Sequence, residues 1–209
     1  MPASSDPLRL VVLISGSGTL LQALLEASTD AGFGAEVVAV GADRDGIAGL
    51  ARAEGAGIPT FVHPLAGADR CAWDKELTTL VAGHRPDLVV SAGFMKLVGP
   101  DFLAAYGGRM INTHPALLPA FAGMHGPADA LAYGVKISGA TVFLVDSGVD
   151  TGVIIDQEPV RVADDDTVDA LHERIKVVER DLLVRTVHRL ATQSWRVDNR
   201  TFRWLPLAG

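Results

Sequence analysis

The sequence predicts an α/β protein: a doubly wound, mostly parallel sheet with an antiparallel addition toward the C-terminus. Two observations lead to this fold class. Through the first half of the chain, strand and helix patterns alternate, and right-handed crossovers of this kind build parallel sheets. In the second half, two extended segments follow each other with no helix between them, which is typical of antiparallel pairing.

The first half contains the alternating units. Residues Leu8–Ile14 form a run that is apolar apart from Arg9, as expected of a strand that is buried on both faces. Gly16 and Gly18 end this run, and a helical leucine pattern begins at Thr19. The same rhythm then predicts a strand at 36–40, a helix at 47–54, a strand at 59–62, a helix at 73–83 and a strand at 87–91.

The second half begins with residues 109–115, which predict a strand that leaves the core. Residues 116–125 contain too many prolines and glycines for a helix, so we expect a shaped loop there. The two extended segments are 139–145 and 152–162.

One long amphipathic helix is predicted at residues 167–193, and it should cover one face of the sheet. The acidic run from Asp164 to Asp166 is expected to cap its free amides. The last stretch, 196–207, is short and aromatic. Because no linker or repeat interrupts the chain, we expect one domain, with halves at about 8–105 and about 106–195.

Composition disfavours several classes of protein. The 25 acidic residues outnumber the 18 Lys and Arg residues, and the net charge of −7 disfavours nucleic acid binding. Cys71 is the single cysteine, so we expect a lone buried thiol in a reducing compartment. The first ten residues are typical of neither a signal peptide nor a transit peptide, and no apolar run approaches the roughly 20 residues of a membrane span. We therefore expect a cytoplasmic protein without a membrane partner.

A glycine loop joins the first strand to the first helix, where free backbone amides favour a bound anion. It contains Gly16, Ser17, Gly18 and Thr19. The loop has neither the lysine of a Walker motif nor the third glycine of a dinucleotide fingerprint, so nicotinamide binding is weakly supported. Binding of a single phosphate and a tight structural turn without a ligand are both compatible with these residues.

The segment around Asn112 and His114 carries the first catalytic candidates. Pro115 biases His114 toward extended backbone, and alternation along a strand puts Asn112 and His114 on one face. An amide NH2 and an imidazole side by side can both donate toward one carbonyl oxygen as it becomes an oxyanion. Taken alone, His114 also fits a satisfied core histidine.

Asp150 lies in a loop that also carries Asp146 and follows the strand at 139–145. An acid beside a histidine holds the imidazole tautomer and accepts protons through water. Asp150 is therefore the candidate third member of the site. A turn or cap is the default role of an Asp so close to a Gly, and the local sequence leaves that alternative open.

Several motifs occur together in the chain. The main ones are Asn112-x-His114-Pro115-x-Leu117-Leu118-Pro119, Gly123, and the block from Gly139 through Asp150 to Gly152. This combination resembles the 10-formyltetrahydrofolate-dependent formyltransferases and implies their Rossmann-like fold in a single formyltransferase domain. The glycine loop and residues 92–96 are similar to the branch of the family that formylates glycinamide ribonucleotide. The likeness runs from about residue 10 to about residue 191.

The resemblance implies direct transfer of the formyl group from 10-formyltetrahydrofolate to the amine of glycinamide ribonucleotide, a step of de novo purine biosynthesis. It implies neither a metal nor a covalent enzyme intermediate. Asn112 and protonated His114 would stabilise the tetrahedral oxyanion. Asp150 would orient His114 and relay the amine proton through water. The two small molecules are the implied partners, and a homodimer is left open because some relatives dimerise.

The same resemblance implies binding residues for both substrates. The phosphate would bind chiefly at Gly18 and Thr19, and the nucleotide would also contact Glu179, by default a solvated helix residue. Arg70 would touch the phosphate or the folate glutamate, unless it is merely exposed at a helix start. The implied substrate-binding set is Gly16, Ser17, Gly18, Thr19, Leu20, Glu179 and Arg70. The implied folate-binding set is Met95, Lys96, Leu97, Val98, Asp146, Ser147, Gly148 and Val149.

Three residues depart from the family pattern. Leu20 stands where many relatives have Asn, which leaves the backbone cradle intact. Phe143 replaces a common strand histidine, and Ala122 replaces a Pro, which is expected to loosen its loop. The resemblance further implies a cis bond at Leu118-Pro119 and a histidine near the cleft, His125, that is not catalytic.

Other functions compete with this interpretation. Methionyl-tRNA formyltransferase has an added C-terminal RNA-binding domain, and formyltetrahydrofolate deformylase has an added N-terminal regulatory domain; we expect this chain to have neither. A nucleotide-binding regulatory module would use the glycine loop without needing Asn112, His114 and Asp150 together. A dinucleotide oxidoreductase would bind NAD.

Overall fold

Seven strands form one mixed sheet in the computed structural model, which describes residues 6–65 and 67–206. In chain order they are β1 (Leu8–Ile14), β2 (Ala35–Ala42), β3 (Thr60–Val62), β4 (Leu88–Ser91), β5 (Met110–His114), β6 (Ile137–Leu144) and β7 (Ile154–Arg161). Their order across the sheet is β3-β2-β1-β4-β5-β6-β7, parallel up to β5 and antiparallel for β6 and β7. The predicted fold class is confirmed.

The strand order reverses direction between β1 and β4. Chain connections leave these two neighbouring strands toward opposite sides, so a crevice opens beyond their carboxyl ends. The glycine loop follows β1 and residues 92–99 follow β4. The fold therefore brings two predicted binding segments to the same edge of the sheet.

In the described part of the chain, six α-helices cover the two faces of the sheet. They are α1 (Thr19–Ala27), α2 (Ala48–Gly55), α3 (Arg70–Gly83), α4 (Pro100–Tyr106), α5 (Gly126–Tyr133) and α6 (Val168–Thr192). Buried residues of α1, α2 and α6 form one core cluster with the sheet, and those of α3 and α4 form a second. Among the described residues, no helix is long and apolar enough to cross a membrane.

Strand β1 separates the two cores. Leu10, Val12 and Ile14 belong to the first cluster, and Val11 and Leu13 belong to the second. Successive side chains point to opposite faces of a strand, so an uninterrupted apolar run is the pattern of a strand with a helix layer on each side. Burial of each such side chain stabilises the fold by about 1.5–3 kcal/mol.

Helix α6 begins at a different cap from the one predicted. The side chain of Thr167 accepts a hydrogen bond from the amide of Ala170 at 3.1 Å. Asp166 instead pairs with Arg174 and accepts the amide of Ala163. The prediction of an aspartate cap was therefore wrong, because Arg174, in the second turn of the helix, pairs with Asp166 and draws it away from the helix amides.

Two short helices, α4 and α5, were not predicted. The start of α4 is held by Asp74 of α3, whose buried carboxylate accepts the amides of Gly99, Asp101 and Phe102 at 2.5, 2.9 and 3.1 Å. A cap supplied by another helix leaves no local signal. The thiol of Cys71 is exposed, so the prediction of a buried thiol was wrong; its position in the first turn of α3 turns it to solvent.

The C-terminal stretch forms a hairpin of β8 (Trp195–Asp198) and β9 (Thr201–Trp204), separate from the main sheet. Its aromatic side chains stack on one another and pack against the first core cluster. The predicted antiparallel addition is thus β6 and β7, and the hairpin is a further element. Residues 1–5 of the leader and Leu207 lie outside the described residues.

Candidate active site

The glycine loop, residues 15–19, is held in place by hydrogen bonds from α2. The amide of Gly49 donates to the carbonyl of Gly16 at 3.1 Å, and Arg52 donates to the carbonyl of Ser17 at 2.9 Å. Gly18 has φ +70°, and a Cβ there would lie 2.6 Å from the Cα of Gly49. Since no side chain caps α1, the amides at its start are open to a ligand, as an anion site requires.

A cavity of about 280 Å³ opens beside this loop. Its lining includes the carboxyl end of β4, the strand around Thr113, and one face of α6. Helix α6 contributes His172, Lys176 and Glu179, whose spacing of four and three residues puts them on one face. The remaining lining residues are Ser15, Gly16, Ser17, Gly18, Thr19, Leu20, Ala92, Gly93, Met95 and Pro115. Both halves of the chain therefore build this cavity.

Lys176 and His172 are lining residues that the sequence analysis missed. The ammonium of Lys176 pairs with the exposed Glu173 at 2.5 Å, a surface pair of small net stability that leaves the cation available to an anion. Burial lowers the pKa of His172, and the charge of Lys176 lowers it further against the opposing effects of Glu173 and Asp169. The i, i+4, i+7 spacing with Glu179 was the signal that would have identified them.

Glu179 is buried in the cavity wall, with 7% of its surface exposed. Burial raises the pKa of its carboxyl above the ordinary value, while a hydrogen bond from Thr113 and the nearby Arg180 and Lys176 act in the opposite direction. Glu179 is therefore not the solvated helix residue that its sequence context suggests. A carboxylate held this way is positioned to accept hydrogen bonds from a ligand.

His114 and Asn112 lie on the same face of β5, as the alternation predicts. Asn112 pairs with Phe143 of β6, and His114 pairs with Thr141. His114 is 4% exposed, and its Nε2 lies 2.7 Å from the carbonyl oxygen of Phe121. Because a carbonyl only accepts, Nε2 carries a proton, and Nδ1 is left to face Asp150. Within residues 6–65 and 67–206, no protein group forms a hydrogen bond with the side-chain amide of Asn112.

Asp150 reaches His114 from the acid loop, residues 145–153. One carboxylate oxygen lies 3.4 Å from Nδ1 of His114 and accepts the amide of Gly123 at 2.8 Å. Asp150 has φ +53°, in the left-handed region that disfavours residues with a side chain. Asp150 is therefore in contact with His114, and Asn112 lies on the same strand face as His114. None of these three residues lines the cavity, whose lining includes their chain neighbours Thr113 and Pro115.

The acid loop is held by its own side chains. Asp146 accepts the amide of Gly148 at 3.0 Å and the hydroxyl of Thr151 at 2.6 Å. A Cβ on Gly152 would lie 1.6 Å from the carbonyl oxygen of Leu144, so only glycine fits where the chain returns to β7. This close approach determines where the loop ends and where Asp150 points.

The post-histidine loop, residues 115–125, is braced by two side chains of the β6–β7 pair. Thr141 donates to the carbonyl of Ala116 at 2.7 Å and accepts the amide of Leu118 at 3.1 Å. Gln157 donates to Thr141 and to the carbonyl of Leu118, both at 2.9 Å. The Leu118-Pro119 bond is cis, as the resemblance implied. These contacts hold the loop on the side of His114, while Ala122 is exposed.

A buried carboxylate links the glycine loop to the 93–99 loop that follows β4. Asp43, at the end of β2, accepts from Lys96 at 2.9 Å and from Arg44 at 2.9 Å, and it also accepts the hydroxyl of Ser15. Ser15 in turn accepts the amide of Met95 at 2.8 Å. Burial raises the pKa of Asp43, but the hydrogen bonds from Arg44, Lys96 and Ser15 outweigh it and lower the pKa to about 2.

Arg70 and His125 lie outside the cavity lining. Arg70 donates to the carbonyl of Leu97, so it lies against the 93–99 loop and away from the glycine loop. Its guanidinium also lies 5.3 Å from the ring centre of Trp73. His125 is exposed at the start of α5. Among the described residues, no three His, Cys, Asp or Glu side chains are grouped to hold a metal ion.

Comparison with known proteins identifies related sequences and structures. Residues 8–187 match the family model described as formyl transferase. A phosphoribosylglycinamide formyltransferase of Mycobacterium tuberculosis is 57% identical over 198 residues, which cover 94% of this chain and 91% of the relative.

Two solved structures have folds similar to that of this chain. Glycinamide ribonucleotide transformylase 1 from Symbiobacterium toebii has a TM-score of 0.94 at 38% identity, covering 97% of this chain and 96% of that chain. A formyltetrahydrofolate deformylase from Pseudomonas syringae has a TM-score of 0.90 at 26% identity, covering 97% of this chain and 67% of that chain.

Proposed function

This chain belongs to the formyl transferase family, and we propose that it transfers the formyl group of 10-formyltetrahydrofolate to the amine of glycinamide ribonucleotide in de novo purine biosynthesis. The observation that carries the proposal is the contact of Asp150 with His114, 3.4 Å long, beside a cavity that ends at the amides of α1. A phosphate-binding end and an oxyanion-stabilising end are what this transfer requires.

The ribonucleotide would occupy the cavity. Its phosphate would accept the amides at Gly18 and Thr19, with Lys176 as the neutralising cation. Glu179 would accept hydrogen bonds from ribose hydroxyl groups. This arrangement would direct the glycinamide amine toward the end of β5, where Thr113 and Pro115, the chain neighbours of His114, line the cavity.

The folate would approach from the 93–99 loop and the acid loop. Backbone groups of Met95, Lys96, Leu97 and Val98, together with Asp146, Ser147, Gly148 and Val149, would hold the pterin. Arg70, which contacts Leu97, fits the folate glutamate better than the phosphate because it lies outside the cavity that the glycine loop lines.

The reaction proceeds by attack of the amine nitrogen on the formyl carbon. Negative charge then develops on the formyl oxygen, where the side-chain amide of Asn112 would donate a hydrogen bond to it and the positive charge of protonated His114 would stabilise it. Collapse of the tetrahedral intermediate breaks the bond from the formyl carbon to N10 of the folate. The proton lost by the amine passes to N10 through Asp150 and water, so the products are formylglycinamide ribonucleotide and tetrahydrofolate.

Deformylase activity is the second candidate, because a deformylase has nearly the same fold as this chain. The deciding experiment incubates the purified protein with 10-formyltetrahydrofolate, with and without glycinamide ribonucleotide. We expect tetrahydrofolate to form only with the acceptor, and the formylated nucleotide to appear in equal amount. Equal release of tetrahydrofolate without the acceptor would identify a hydrolase instead.

We place the reaction in the cytoplasm, because an exposed unpaired thiol such as Cys71 is typical of a reducing compartment. A homodimer stays a prediction from the family resemblance, and size-exclusion chromatography with light scattering would test it.

A further inference from the structure

The turn of the C-terminal hairpin touches the acid loop. Arg200, at this turn, donates to the carbonyl of Thr151 at 2.7 Å and to that of Gly152 at 3.4 Å. These are the two residues that follow Asp150 in the chain. A single guanidinium therefore bonds the backbone immediately after the proposed proton relay, from an element that has no other place in the proposed chemistry.

The hairpin is a firmly anchored support for Arg200. Trp195 stacks on Phe202 with ring centres 5.1 Å apart, and Phe202 meets the edge of Trp204 at 4.9 Å. The guanidinium of Arg189, on α6, lies 4.0 Å from the ring centre of Trp204. All three aromatic residues pack against the first core cluster. The position of the turn is thus determined by the core and by α6.

The conformation of Asp150 depends on contacts within the acid loop and on contacts from outside it. Its φ of +53° disfavours a residue with a side chain, so surrounding contacts must hold it in place. From within the loop, Asp146 accepts hydrogen bonds from Gly148 before Asp150 and from Thr151 after it. After Asp150, the close approach of Gly152 to Leu144 fixes the end of the loop. Arg200 adds the contact from outside the loop by bonding the carbonyls of Thr151 and Gly152.

We propose that Arg200 is a positioning residue that holds the acid loop so that the Asp150 carboxylate stays against His114. The catalytic role of Asp150 rests on the proposed function, whereas the support of the loop by Arg200 does not. With Arg200 replaced by Ala, the carbonyls of Thr151 and Gly152 bind water, and the left-handed conformation of Asp150 loses one of its restraints. The distance between Asp150 and His114 then varies.

The test compares Arg200→Ala with Arg203→Ala and Arg200→Lys. Arg203 lies on the same hairpin, and its ion pair in the described part of the chain is with the exposed Asp198, at 3.4 Å, so its variant is a matched control for the loss of a hairpin arginine. We expect Arg200→Ala to speed amide hydrogen exchange in residues 146–153 and to leave exchange in β8 and β9 unchanged. Arg203→Ala should match the wild type, and Arg200→Lys should recover part of the protection.

Kinetics supply the second readout. For Arg200→Ala we expect kcat to fall about tenfold, as for a small displacement of a catalytic group, while KM for glycinamide ribonucleotide stays within about twofold of wild type. Identical loop exchange in Arg200→Ala and Arg203→Ala would overturn the proposal, as would an unchanged kcat in an active enzyme. If the wild type transfers no formyl group, the proposed function fails, and the exchange comparison alone decides whether Arg200 holds the loop.

Discussion

The ammonium of Lys96 lies 2.9 Å from the buried carboxylate of Asp43, which joins the end of β2 to the 93–99 loop. The same carboxylate accepts the hydroxyl of Ser15, which in turn accepts the amide of Met95. One buried charge therefore sets the relative position of the glycine loop and the 93–99 loop. In the proposed function, these loops bind different substrates.

Replacement of Asp43 by Asn should make stability less dependent on acid pH. The folded-state pKa of about 2 lies below the ordinary 3.8, so the carboxylate stabilises the fold above pH 3.8 and loses this effect as pH falls toward 2. The shift corresponds to about 2 kcal/mol, and the half-exposed Arg44 makes the true value smaller. Urea unfolding at pH 7 and at pH 3 would measure it; an equal difference between wild type and Asp43→Asn at both pH values would contradict it.

His114→Ala and Asp150→Asn should each lower formyl transfer by about a hundredfold or more, the usual effect of losing an oxyanion donor or its partner. Folding and nucleotide binding should be largely retained, because the cavity wall is unchanged. Asp129→Asn, on the exposed surface of α5, is the matched control. Turnover near the wild-type rate in both active-site variants would exclude the proposed mechanism.

Lys176→Met should raise KM for glycinamide ribonucleotide about tenfold or more, because a charge-assisted contact to the phosphate is lost. The KM for 10-formyltetrahydrofolate should change little. Lys136→Met removes a lysine from an exposed pair with Asp164 and serves as the control in steady-state kinetics. An effect confined to the folate KM would show that Lys176 is not the phosphate ligand.

Glu179→Gln should stabilise the empty enzyme at neutral pH while weakening nucleotide binding. The raised pKa of Glu179 means that the folded state holds its proton more tightly than the unfolded chain, so stability falls as pH rises above the ordinary pKa of 4.5. Glutamine removes this effect. Thermal unfolding at pH 5 and pH 8 should show the gain of the variant growing with pH, and a lower Tm at pH 8 would contradict the prediction.

Gly152→Ala should destabilise the protein by about 2 kcal/mol and abolish most activity, because the new Cβ overlaps the Leu144 carbonyl and must displace the acid loop. Gly83→Ala, at the open end of α3, has no atom within 4 Å of its new Cβ and should keep both stability and activity. Unfolding curves and kcat for the two variants make the comparison, and wild-type activity in Gly152→Ala would count against it.

Much of the fold was predictable because its signals are local. The apolar run of β1 and the periodicity of α6 give these elements from a few consecutive residues. Helix α4 was missed because Asp74 caps it from another helix. The cap of α6 was misassigned because Arg174 competes for Asp166. Such contacts depend on which residues meet in space, and local propensity does not contain that information.

In the candidate site, too, the features with a local signal were predicted and those that depend on distant contacts were not predictable from local sequence. Alternation placed Asn112 and His114 on one face of a strand, and the structure has them so. The contact between Asp150 and His114, which lie 36 positions apart in the chain, was predicted from the resemblance, since spacing along the chain does not imply it. Lys176 and the burial of Glu179 were missed because a long helix with many charges was interpreted as solvated on its polar face.

The β6–β7 pair supplies the acid loop between its strands and also Thr141 and Gln157, which brace the loop after His114. Both sides of the proposed reaction centre thus depend on one contiguous stretch of chain. A shift in the register of this hairpin would move the acid and the support of the histidine together. During divergence, this hairpin should therefore be inherited as a single module.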